Sequence, residues 1–161
     1  MADALARARS EGRPVIVVAH SLGALVTWGY LQHRNLLDAR DVVEIQRLVT
    51  VGSPIGNAPL RDLLFGDAAA VSLPRGVLSW INAVNTDDPF AARLIATDSA
   101  TGQVDAIRGI SDVLIGSSDE SAHDLRGYLR DSSTASAIVS AWCDVVRSRR
   151  RFAGCAAEAR H

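Results

Sequence analysis

Residues Pro14 to Leu31 read PVIVVAHSLGALVTWGYL. Val15 to Ala19 is a short apolar run rich in β-branched residues, the pattern of a strand buried on both faces. His20-Ser21-Leu22-Gly23 interrupts it with polar and small residues. Leu25, Val26, Trp28 and Leu31 then recur at helical spacing, which predicts a helix from Leu22 to about Arg34. The layout is a strand, a sharp turn centred on a serine, and a helix. Such a turn holds Ser21 above the end of a sheet and aims the helix N-terminus at it. Ala19 and Gly23, two residues before and two after the serine, are small enough for strand and helix to approach closely. Ser21 is then either a presented nucleophile or a residue that merely caps its helix.

Downstream residues separate these readings. A-H-S-L-G after VIVV resembles the nucleophile elbow of the α/β-hydrolase family, with Ala19 where that family usually has its first Gly. The resemblance implies that Ser21 is the nucleophile and that the N–H of Leu22 is an oxyanion donor. It also implies an acid and then a histidine later in the chain.

Composition narrows the alternatives. The chain has 161 residues, 48% of them hydrophobic, with a formal net charge of -1. That suits one globular domain with a real core and argues against nucleic acid as a partner. No apolar run approaches the roughly 20 residues of a membrane span. The N-terminus, MADALARARSEGR, has no apolar signal core, so a cytoplasmic location is expected. All 17 basic residues are arginine, which excludes a P-loop lysine, a Schiff-base lysine and a Ser-Lys dyad. There is no G-x-G-x-x-G, and the four histidines and two cysteines lack metal-ligand spacing. Neither a cofactor nor a metal is implied. Cys143 and Cys155 are too few for a disulfide framework; Cys143 is expected to pack in a helix and Cys155 to sit in a tail.

Taken in order, Ala2 to Ser10 reads as a helix stopped by Gly12 and Pro14. After the elbow unit, Asn35 to Glu44 is polar with a short helical turn. Ile45 to Val51 is a second strand that ends in Gly52-Ser53-Pro54. A short helix covers Leu60 to Phe65, with Pro59 near its first turn, and Ala68 to Gly76 is a loop. Val77 to Val84 is a third strand, followed by Asn85-Thr86-Asp87-Asp88-Pro89. A fourth strand lies within Asp105 to Ile115, and a loop runs from Gly116 to His123. Leu125 to Leu129 and Thr134 to Val146 read as helices, and 147–161 as a basic tail in which a solvated helix end outweighs an anion contact. Strands alternating with helices at crossover length predict an α/β fold with a parallel sheet and flanking helices.

In such sheets functional groups gather at the carboxyl ends of the strands. His20-Ser21, Asp87-Asp88 and His123 all fall there, in the order serine, acid, histidine. The serine needs a base. His20 is its backbone neighbour and poorly placed to turn onto the hydroxyl, and His33 lies roughly 18 Å along the helix at 1.5 Å per residue. His161 is the last residue of the tail. His123, in a loop after a late strand, remains as the base, though a surface loop histidine would look the same. Asp88, Asp87 and the more distant Asp98 are the acids available to orient it. Either Asp87 or Asp88 is also explained by an Asx-turn before proline.

W-I-N-A-V-N-T-D-D-P-F-A resembles the acid loop of lipase-like hydrolases of the lecithin:cholesterol acyltransferase and GPI inositol-deacylase (PGAP-like) type, where the acid precedes proline. This favours Asp88 over Asp87. LVTVGSPIGN resembles the same hydrolases, and there Gly52-Ser53-Pro54 is expected to shape the pocket rim while Ser53 is not a nucleophile. Trp28 and Trp80 are expected in the core.

The resemblance covers roughly residues 10 to 146. It implies a serine hydrolase acting on an ester, a lipid or acyl ester among them, through Ser21, His123 and Asp88. In that family several strands precede the elbow strand, so the chain is expected to correspond to the C-terminal half of the fold. The loop giving the second oxyanion N–H belongs to the other half, so weak activity follows. An apolar strand at 15–19 would then form an edge that a partner or missing segment has to cover. The competing expectation is a non-catalytic α/β binding module that has kept the elbow.

Overall fold

The computed structural model describes residues 1–33, 42–66, 70–95, 107–116 and 121–148. Strands β1 (Ile16–His20), β2 (Arg47–Val51), β3 (Trp80–Asn85) and β4 (Ile110–Ile115) form one sheet in the order β1-β2-β3-β4. Every neighbouring pair is parallel. Helices α1 (Ala2–Ser10), α2 (Leu22–His33), α3 (Ala58–Phe65), α4 (Leu125–Arg130) and α5 (Ser132–Ser148) accompany it. The fold is therefore α/β with a parallel sheet, and β1 lies at one edge.

The sheet is covered on both faces because side chains alternate along a strand. Leu48 and Trp80 join Leu5 of α1 and Leu25, Trp28 and Leu31 of α2 in one core. Val49, Val51 and Ala83 join Tyr128 of α4 in the other, with Ile138 of α5 packed against it. Fully burying an apolar side chain contributes roughly 1.5–3 kcal/mol, so β2, whose residues after Arg47 are all buried, with Leu48, Val49 and Val51 apolar, requires helices on both sides. Arg47 is the exception that anchors α5. Its guanidinium donates to the Ala137 carbonyl and to Ser140 Oγ, each at 2.7 Å.

A polar ladder crosses the sheet inside the first core. Trp80 Nε1 donates to Thr50 Oγ1 at 2.9 Å, and Thr50 Oγ1 donates to Asn82 Oδ1 at 2.8 Å. Asn82 Nδ2 donates in turn to Asp112 Oδ1 at 2.8 Å and to the Ala92 carbonyl at 3.1 Å. Asp112 also accepts the N–H groups of Leu94 and Ile95. The loop after β3 is thus tied back to the sheet by buried, satisfied polar groups, which are costly to leave unpaired.

Several expectations shift. β2 begins at Arg47 and β3 at Trp80, while Ile45 and Val77 meet in an isolated bridge. β4 starts only at Ile110, because Gly109 turns at φ 81° and the Ile110 N–H closes onto the Ile107 carbonyl. A Cβ on Gly23 would meet nothing within 4 Å, so strand and helix do not need its small size. Cys143 lies in α5, as expected, and is disulfide-bonded; Cys155 lies outside the described residues. Arg147 and Ser148 close α5, while the rest of the expected tail and most of the turn expected within 35–44 also lie outside them. Among the described residues no helix is long and apolar enough to cross a membrane.

Candidate active site

Ser21 stands where β1 passes into α2, with φ at 54°, in the left-handed region that side chains other than glycine seldom adopt. Two backbone bonds hold it there. Its N–H donates to the Val51 carbonyl at 3.1 Å, and its carbonyl accepts the Ala24 N–H at 2.9 Å. The chain reverses within one residue, and strain of this kind gathers at functional sites. Leu22 opens α2 beside it, and N–H groups of a helix's first turn have no acceptor within the helix.

The acid comes from the end of β3. Asn85 is buried, and its Oδ1 accepts the Asp87 N–H at 3.0 Å in an Asx turn. Asp87 points outward and is exposed. Asp88 is only 3% exposed. Its Oδ1 accepts the Phe90 N–H at 2.9 Å, and its Oδ2 accepts two side-chain donors, His123 Nδ1 at 2.8 Å and the Tyr128 hydroxyl at 2.7 Å. Burial pushes the Asp88 carboxyl up. The bonds from His123, Tyr128 and Phe90, with the charge on His123, outweigh that and hold it below its ordinary value. Asp98 lies outside the described residues.

His123 precedes the N-terminus of α4, whose cap is Asp124. Its Nε2 lies 2.8 Å from Ser21 Oγ. Because an ionised carboxylate only accepts, Nδ1 carries the proton toward Asp88, which leaves neutral Nε2 as the acceptor of the serine proton. The hydrogen bond expected between Ser21 and His123 is present, and the serine, imidazole and carboxylate form one relay. Ser53, by contrast, is buried, with Oγ accepting the Ile55 N–H at 3.2 Å. Its carbonyl accepts the Ala92 N–H, joining the rim to the acid loop.

Four residues that the structure brings to the site carry no role in the sequence reading. His20 donates through Nε2 to the His123 carbonyl at 3.0 Å. Its ring lies 4.9 Å from that of His123, and Phe90 flanks the same ring, also at 4.9 Å. Tyr128 is 1% exposed and accepts the Asn85 N–H at 3.2 Å while it donates to Asp88. Asn85 Nδ2 donates to the Ala122 carbonyl at 3.3 Å. A tyrosine on the inner face of the helix after the histidine was the available signal, since buried tyrosine hydroxyls seek partners.

Gly52 makes the arrangement sterically feasible. It turns at φ 57°, and a Cβ there would come within 3.1 Å of both Asp88 Oδ2 and the Tyr128 ring. Among the described residues no group of three or more His, Cys, Asp and Glu side chains could hold a metal ion. Chemically, the relay is suited to removing a proton from Ser21 as its oxygen attacks an electrophilic carbon. No protein-family model matches the chain, and neither a curated protein nor a solved structure is detectably similar to it.

Proposed function

We propose that this chain is a serine hydrolase of α/β-hydrolase type, corresponding to the C-terminal half of that fold and acting on an ester. The observation that carries the reading is the relay from Ser21 Oγ through His123 to Asp88, with both bonds at 2.8 Å. The left-handed Ser21 between a parallel strand and a helix supports it further. Ser21 Oγ attacks the acyl carbon while His123 Nε2 takes its proton. The imidazolium then returns that proton to the departing alcohol oxygen, leaving an acyl-serine. Water enters, gives its proton to His123, and attacks the acyl carbon; the acid departs and Ser21 regains its proton. Asp88 keeps the tautomer and stabilises the imidazolium, and the Leu22 N–H is the oxyanion donor on this chain.

Leu22, Val26 and Phe90 are exposed apolar side chains next to the nucleophile, one helical turn on, and against the base. They favour an apolar acyl or lipid ester over a charged one. The expected cytoplasmic location stays part of the proposal.

A fluorophosphonate probe tests the reading. Label on Ser21 that is absent from Ser21→Ala, with hydrolysis of p-nitrophenyl esters favouring longer acyl chains, is the expected result. A folded chain that takes no label and turns over no ester overturns it. One observation favours the second reading, a non-catalytic module or fragment completed by a partner strand. β1 is an edge strand without charge or proline before His20, Val18 is 41% exposed, and a groove of about 660 Å³ runs beside it. An inert monomer that gains a strand-forming partner would favour that reading.

A further inference from the structure

We infer that Tyr128 is a positioning residue that lowers the proton affinity of His123 by sharing the Asp88 oxygen on which His123 depends. Its kinetic consequence rests on the hydrolase reading; its physical content does not. His123 Nδ1 and the Tyr128 hydroxyl both donate to Asp88 Oδ2, at 2.8 and 2.7 Å. The direction of the tyrosine proton is determined by its other bond. Tyr128 Oη accepts the Asn85 N–H, so its own hydrogen goes to the carboxylate.

Two donors on one oxygen compete for its charge. When His123 gains a proton, the carboxylate is its counter-charge, and charge-assisted bonds are about twice as strong as neutral ones. A second donor on the same atom dilutes that stabilisation. On this geometry His123 binds its extra proton less tightly than it would beside Asp88 alone. Tyr128 remains a donor throughout. Burial, then the bond to Asp88, raises its hydroxyl well above the ordinary range, with the Asn85 N–H opposing.

The other groups facing His123 do not provide this effect. Ser21 and His20 approach from the end of β1, and Asp88 and Phe90 from the loop after β3. Asp124, next in the chain, accepts the Arg126 N–H as the cap of α4. His20 is a second imidazole beside it, and keeping it in every variant makes its contribution common to all of them.

The test follows the His123 ring by ¹H–¹⁵N NMR in the full chain across pH, with the acid limb of kcat/KM for a p-nitrophenyl ester measured in parallel. Tyr128→Phe is expected to move the His123 midpoint up by on the order of half to one pH unit. The second variant carries 3-fluorotyrosine at 128 in a Tyr30→Phe background, since the chain has two tyrosines. Its more acidic hydroxyl donates more strongly and is expected to move the midpoint down. It also keeps the hydroxyl and both bonds, so it decides the matter alone where Tyr128→Phe does not fold. A midpoint unchanged in the folded variants, or shifted the same way in both, overturns the inference. So does a fall in kcat with an unmoved acid limb, which is the mark of simple packing. Opposite shifts in a chain that hydrolyses no ester support the role of Tyr128 and refute the hydrolase reading instead.

Discussion

Replacing Ser21 with glycine and, separately, with alanine isolates the strain stored at the turn. Both variants lose the hydroxyl and with it the 2.8 Å bond to His123 Nε2. Both keep the backbone bonds to Val51 and Ala24. They differ by one Cβ on a residue at φ 54°. An L-residue in the left-handed region costs roughly 1–2 kcal/mol, and glycine avoids this. Glycine also gives the unfolded chain more freedom, which costs about 0.4–1 kcal/mol relative to alanine. The net expectation is that Ser21→Gly is more stable than Ser21→Ala by about 1 kcal/mol, the reverse of their order inside a helix. In a domain of this size that is roughly 2–4 °C in Tm, readable by thermal or urea unfolding with the two variants side by side. Equal stabilities, or an alanine variant above the glycine one, would refute the argument that the elbow is strained at Ser21.

Three further outcomes are expected. Gly52→Ala combines a positive φ with a Cβ 3.1 Å from Asp88 Oδ2 and from the Tyr128 ring; a loss of at least about 1–3 kcal/mol is expected, with the Asp88–His123 bond displaced in the NMR spectrum. Asn82→Ala should cost about 3 kcal/mol by unfolding, as it leaves the Thr50 hydroxyl hydrogen and the Ala92 carbonyl without their partner and removes one of the ties between the acid loop and the sheet. The third concerns pH. Because the Asp88 carboxyl is held below its ordinary value, its contribution to stability is present above an unfolded value of about 3.9 and is lost as pH falls through the lower folded value. Asp88→Asn should flatten that acid limb; a variant with the same acid limb as the parent would count against the assignment.

The local pattern made much of the fold legible. VIVVA, LVTV and WINAV are β-branched runs of strand length, and the helix after Ser21 shows in its period. Their alternation requires parallel strands, because the intervening segments are long enough only for crossovers on the sheet faces. Strand starts were less legible. Val77 to Ser79 has a strand's composition, yet the continuous ladder begins at Trp80, with Val77 joined to Ile45 only as an isolated bridge, since a ladder depends on partners that local composition does not encode.

The site divides along the same line. Sequence by itself determined that a serine, an acid and a histidine would emerge in that order at one end of the sheet, because chain direction and strand polarity dictate where each loop leaves. Residue chemistry left Asp87 and Asp88 as equal neighbours, with only the resemblance of the loop favouring Asp88, and tertiary structure is what physically separates them. The Asx turn on Asn85 sends Asp87 into solvent and Asp88 under the Tyr128 hydroxyl. Nor did sequence show that His20, excluded as the base, would brace the base from the side. These outcomes depend on contacts between residues about 40 to 100 positions apart. Such contacts exist only once both faces of the sheet are packed, and no local period or spacing encodes them.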